Sequence, residues 1–192
     1  MKFWIIIAVI ITASVAYFTL GTPKTPSHTS SQPPQDVYAN LIGQPAPDFT
    51  LQSYNDTTVS LKSMRGKKLV LFFSEGIGCY PACWNQIAAL GTDKELNNDQ
   101  IATISIVPDA KEQWITATRR MPDLGKETLL LDSTFGVSQS YGMMNLESSM
   151  HKGVKPGHSY VIVDKNGIVR YTYDDPTMGI QNTLLKQELA KI

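Results

Sequence analysis

The order of elements can be read from where apolar residues run continuously and where they alternate with polar ones. "PDFTLQS" (47–53) and "TTVSLKS" (57–63) alternate in character and meet at Asn55-Asp56, a turn dipeptide. They read as two short strands. "KKLVLFF" (67–73) is continuously apolar after its lysines and is bounded by Gly66 and Gly76, which predicts a strand covered on both faces. "PACWNQIAALGTDKEL" (81–96) is helical in period, with Pro81 near the first helical position, where its missing N–H costs nothing. A strand "QIATISIV" (100–107), a helix from Pro108 to about Met121, a strand "TLLLD" (128–132) and a helical "TFGVSQSYG" follow. "HSYVIVD" and "IVRYTYD" flank Lys165-Asn166-Gly167, and Asn-Gly between alternating runs is a strong hairpin signal. "IQNTLLKQELAKI" closes the chain as an amphipathic helix.

A strand pair, then β-α-β-α-β, then a hairpin and a helix predicts an α/β fold with a mixed central sheet flanked by helices. Such sheets carry functional groups beyond the carboxyl ends of their parallel strands.

The first forty residues have another character. Lys2 precedes "FWIIIAVIITASVAYFTL", an uncharged run of about 18 residues, close to a bilayer span. It reads as one N-terminal transmembrane helix or as a signal peptide with "SVA" (14–16) as cleavage site. On either reading the remainder of the chain is exported. The next stretch is rich in Pro, Ser and Thr and reads as a disordered tether. The expected plan is therefore an anchor or signal over 1–20, a linker over 21–40 and a folded domain over 41–192. That domain would stand on the extracytoplasmic side of a bacterial cell membrane. Basic and acidic residues balance at 17 each, so there is no electrostatic footprint for nucleic acid.

The chemistry centres on the only two cysteines, Cys79 and Cys83, placed where the most apolar strand gives way to a helix. Unpaired N–H groups and the positive dipole end at a helix start favour a thiolate. Residues four apart on a helical turn have Cα atoms about 6 Å apart, within disulfide reach. Three uses are compatible with this. One is a dithiol/disulfide couple, with Pro81 stiffening the loop, Trp84 shielding the sulfurs and Glu75 as a base. Another is a structural bond, although so short a loop removes little chain entropy. The third is a soft Cu(I) site drawing on Met143, Met144, Met150, His151 or His158. His158 reads either as a proton shuttle or ligand, or as a half-exposed residue at a strand start. Arg119 and Arg120 read as a solvated helix end.

"IGQPAPDFTLQSYNDTTVSLKSMRGKKLVLFF", "CWNQIAAL", "LLLDSTFGVSQSYGM" and "GHSYVIVDKNGIVRY" resemble, in that order, the alkyl hydroperoxide reductase and thiol-specific antioxidant branch of the thioredoxin-like superfamily. "FSEGIGCYPACWNQ" with the "GMMNLESSMH" segment looks like a subgroup of bacterial redoxins. The resemblance covers about residues 41–190. It implies a thioredoxin-like fold, oxidoreductase activity on peroxides or protein thiols and disulfides, and a redox-active Cys79–Cys83 disulfide assisted by His158, with no cofactor. That family carries Pro-x-x-x-Thr-x-x-Cys; with Cys83 as its cysteine, position 80 is Tyr and position 76 is Gly. The thioredoxin analogy favours Cys79 as attacker and the peroxiredoxin register favours Cys83. Cys-x-x-x-Cys with a distal His also resembles the copper chaperones of cytochrome oxidase assembly, which would make Cys79, Cys83 and His158 copper ligands.

Overall fold

A computed structural model describes residues 34–192 of the chain. The anchor or signal expected over 1–20 lies outside the described residues, as do residues 21–33 of the expected linker. Among the described residues no helix is long and apolar enough to cross a membrane. The last part of that linker is corrected: Pro34–Ala39 form a short helix, α1. Tyr38 explains it, because its ring packs against the core.

Strands β1 (Thr50–Gln52) and β2 (Thr58–Ser60) form an antiparallel pair around the Asn55-Asp56 turn, with Asp56 at φ 68°. The main sheet contains β3 (Lys68–Phe73), β4 (Ile101–Val107), β5 (Thr128–Leu131), β6 (Ser159–Val163) and β7 (Val169–Asp174). Its spatial order is β5-β4-β3-β6-β7. β3, β4 and β5 run parallel, while β6 is antiparallel to β3 and to β7. The sheet is mixed, as the element order predicts.

Side chains alternate across it. Leu69, Leu71 and Phe73 join Ile104, Ile106, Val161 and Tyr141 on one face. Val70 and Phe72 join Tyr160, Ile162, Trp84 and Trp114 on the other. That second face is covered by α2 (Ala82–Thr92), α3 (Lys111–Arg120) and the C-terminal α5 (Asn182–Leu189). The short α4 (Gly136–Ser140) and the β1–β2 pair serve the first. Each fully buried Phe or Leu contributes about 1.5–3 kcal/mol by leaving water. With β3 at the centre of the sheet, the loop after Phe73 springs from its middle strand.

Candidate redox site

Beyond Phe73 the chain passes through Ser74 and Glu75 into a 3₁₀ turn, Gly76–Gly78. Gly76 sits at φ +74°, and a Cβ there would lie 1.8 Å from the Asp109 carboxylate. That carboxylate accepts the Ile77 N–H at 2.8 Å, and its burial raises its pKa. Proline, held near φ −65°, cannot take this conformation, which accounts for glycine where the redoxin pattern has proline. Gly76→Ala is expected to cost about 2–4 kcal/mol through strain and overlap, read from the urea midpoint.

Cys79 is next, and its sulfur is bonded to Cys83 with the Cα atoms 5.4 Å apart. The Cys83 N–H bonds back to the Cys79 carbonyl at 2.9 Å, closing the first turn of α2 with Pro81 at its N-cap. Both sulfurs are enclosed: Cys79 is 3% exposed and Cys83 0%. Tyr80, at the position of the pattern's threonine, is 70% exposed and meets Trp84 edge-on at 5.1 Å. Trp84 is buried between Tyr80 and Trp114, over the helix start.

β6 delivers the third group. Phe73 pairs with Ser159, so His158 lies just past the carboxyl end of β3, facing the start of α2. Its Nδ1 is 3.4 Å from Cys83 Sγ and its Nε2 is 2.9 Å from Tyr160 Oη. The ring also meets Phe72 edge-on at 4.7 Å. At 1% exposure His158 is not the half-exposed residue that is one reading of its position; β6 is an inner strand and the 175–181 segment closes over it. Burial lowers the His158 pKa to about 4, against the opposing pull of Asp175, the Gly179 carbonyl and Asp174. The ring is therefore neutral at ordinary pH.

Glu75 is buried and engaged elsewhere. Its carboxylate accepts the His151 N–H at 3.0 Å and Ser149 Oγ–H at 3.3 Å, and meets His151 Nδ1 at 2.6 Å. None of its hydrogen bonds goes to a cysteine. It pins the 146–157 loop beside the site instead. His151 is thereby engaged as well, Met143 Sδ accepts from Ser159 Oγ, and Met150 is 54% exposed. Of the cysteines and histidines in the soft ligand set expected from sequence, one trio is brought together: ligand atoms of Cys79, Cys83 and His158 lie within 4.8 Å of one another.

Two residues of the site carry no motif, Phe72 and Tyr160. The period-2 alternation of "HSY" does place residues 158 and 160 on one face, which was the available signal. The arrangement can interconvert a disulfide and a dithiol. Its inner sulfur sits at a helix start, against a neutral imidazole.

The sequence profile described as AhpC/TSA family matches residues 42–172. Alkyl hydroperoxide reductase E of Mycobacterium tuberculosis is 28% identical over 137 residues, spanning 68% of this chain and 82% of that protein. Chloroplastic peroxiredoxin Q of Triticum aestivum is 30% identical over 148 residues, spanning 74% of this chain and 64% of that one. Among solved structures, the reduced 2-Cys peroxiredoxin of Plasmodium vivax superposes with a TM-score of 0.66 at 18% identity. That superposition covers 78% of this chain and 80% of that one, so the thioredoxin-like fold is shared.

Proposed function

Because this chain belongs to the AhpC/TSA family, whose named relatives are peroxiredoxins and alkyl hydroperoxide reductases, we propose that it is a thiol-dependent peroxide reductase cycling between a Cys79/Cys83 dithiol and the disulfide. The observation that carries the reading is the enclosure of Cys83 Sγ at the front of α2, bonded to Cys79 and facing His158. With Cys83 at 0% and Cys79 at 3% exposure, either sulfur meets a reactant only through a local opening of the site, and a small hydroperoxide needs a smaller opening than a folded protein does.

In the forward step the Cys83 thiolate attacks the terminal peroxide oxygen. The O–O bond breaks, and the alcohol or water leaves after taking up a proton. Cys83 is left as the sulfenic acid. The Cys79 thiol then attacks that sulfur, water leaves, and the Cys79–Cys83 bond forms. An external dithiol is oxidised in restoring the pair. Tyr80 replaces the pattern's threonine and is exposed, so the reading draws on the helix front and His158 and not on a hydroxyl at position 80.

A protein thiol is favoured as reductant by the apolar side chains exposed around the site. Tyr80 lies between the cysteines, Met150 and Val154 on the loop pinned by Glu75, and Ile180 beside Gly179, which contacts His158. The uncharged run at 3–20 supports retention of the domain at the outer face of a bacterial membrane. The test is steady-state consumption of an organic hydroperoxide by the full chain with dithiothreitol. Turnover proportional to protein is expected; insulin disulfide reduction without peroxide turnover would replace the reading by that of a disulfide reductase.

A second reading is Cu(I) binding by the reduced protein, favoured by the convergence of Cys79, Cys83 and His158. Two thiolates and an imidazole make a soft donor set that suits this ion. It requires the His158 nitrogen nearest the sulfurs to carry no hydrogen.

A further inference from the structure

We propose that Tyr160 fixes His158 as the tautomer with its hydrogen on Nδ1, so that His158 donates a hydrogen bond to the Cys83 sulfur instead of removing its proton. The catalytic consequence rests on the redox reading above, whereas the geometry stands without it.

Tyr160 is 0% exposed, stacked on Phe72 at 4.9 Å and on Tyr173 at 6.1 Å. Among the described residues the one hydrogen-bond partner of its Oη is His158 Nε2, at 2.9 Å. A phenol has one hydrogen to donate, and a buried donor left unmatched is costlier than a spare lone pair on an oxygen that already has a partner. The hydrogen therefore goes to Nε2, which must then present a lone pair. A neutral imidazole has one ring hydrogen, so it sits on Nδ1. Nδ1 is the atom 3.4 Å from Cys83 Sγ. The reverse arrangement, with Nε2–H given to Tyr160, would leave the phenolic hydrogen with nothing to bond. Both rings are enclosed, at 1% and 0% exposure, which disfavours a charge on either.

On reduction the Cys83 sulfur faces an N–H from β6 in addition to the front of α2. A charge-assisted bond to the anion stabilises the thiolate relative to the thiol. A lone pair aimed at sulfur would do the opposite and hold the S–H. Tyr160 touches neither sulfur and acts through His158, which makes it a positioning residue. The same assignment opposes the copper reading, because a nitrogen that carries a hydrogen cannot ligate a metal.

The test is ¹⁵N NMR of the full chain, with His158 distinguished from His28 and His151 by substituting those two one at a time. In the wild type, Nδ1 of His158 is expected to resonate as a protonated nitrogen and Nε2 as an unprotonated one. In Tyr160→Phe the ring hydrogen redistributes, and oxidation of Cys83 by hydroperoxide at pH 7 slows about tenfold with native near-UV circular dichroism retained. A hydrogen on Nε2 in the wild type overturns the inference, as does an unchanged oxidation rate in a folded Tyr160→Phe. If that variant does not fold, the wild-type spectrum alone decides. An Nδ1–H spectrum in a protein that consumes no peroxide would sink the redox reading and leave the tautomer standing.

Discussion

Replacing Cys83 by serine is expected to slow hydroperoxide consumption by about a thousandfold or more, whereas Cys79→Ser consumes the first equivalent normally and stops as a sulfenic acid. The difference comes from where the sulfurs sit. Cys83 belongs to the first turn of α2 and faces His158 Nδ1 at 3.4 Å; a serine hydroxyl there cannot ionise near neutral pH. Cys79 lies before the helix and has only to reach the oxidised sulfur, as its 5.4 Å Cα separation permits. Dimedone should label residue 83 of the Cys79→Ser protein after one equivalent of peroxide, as peptide mass spectrometry can read. Label on residue 79 of Cys83→Ser, with full first-turnover speed, would reverse the roles. Losing the five-residue loop is expected to cost the oxidised protein about 2 kcal/mol in either variant.

The second large effect concerns stability and pH, and comes from Glu127. Its carboxyl group is buried against Thr103 Oγ1 at 2.6 Å and Ser105 Oγ at 3.2 Å. Thr103 Oγ1 also lies 2.9 Å from Asn97 Oδ1, which can only accept. One hydroxyl cannot donate to both, so the chain of bonds closes when Glu127 is protonated and donates to Thr103, which donates to Asn97. Burial raises its pKa from 4.5 to about 8, with the two hydroxyls opposing. Between those values the folded chain holds a proton that the unfolded chain has released. The stabilisation is thus fully present below pH 4.5 and is lost as pH rises through about 8. The slope is about 1.4 kcal/mol per pH unit, or about 4 kcal/mol from pH 5 to 8. Because the lowered pKa of His158 makes stability rise between about pH 4 and 6.5 in both proteins, the Glu127 effect is read as the difference between wild type and Glu127→Gln, which urea unfolding should show shrinking by about that amount from pH 5 to 8. Parallel profiles would mean that Glu127 is ionised in the native state.

The sheet was legible because its signals are local. The run at 67–73 and the Asn-Gly turn after Asp164 needed no information from elsewhere in the chain, and both lie where the pattern puts them. Pairings between distant segments were not legible. Glu75 reads as a base for the thiols because the partners that engage it instead, Ser149 and His151, are over seventy residues away. The helix after Pro81 stops at Thr92 and not at Leu96, because Asn97 Nδ2 takes the Leu90 carbonyl at 2.8 Å and the Asp93 carboxylate takes the Glu95 N–H. The helix at 34–39 was hidden by a Pro-rich composition that says nothing of Tyr38 docking on the core. In the site, the two cysteines could be read from their place at a strand-to-helix junction. The burial of His158 and the role of Tyr160 could not, since both arise where β6 crosses beneath α2.

The decisive experiment is a thiol count. The full chain, completely reduced and freed of reductant, is mixed with one equivalent of organic hydroperoxide, and free thiols and intact mass are read as the reaction runs. Both thiols should disappear for each peroxide consumed, with the mass falling by two hydrogens and the bond mapped to Cys79 and Cys83. Persistence of both thiols while peroxide remains, in a protein that is folded, would contradict a cycling redox pair at the front of α2.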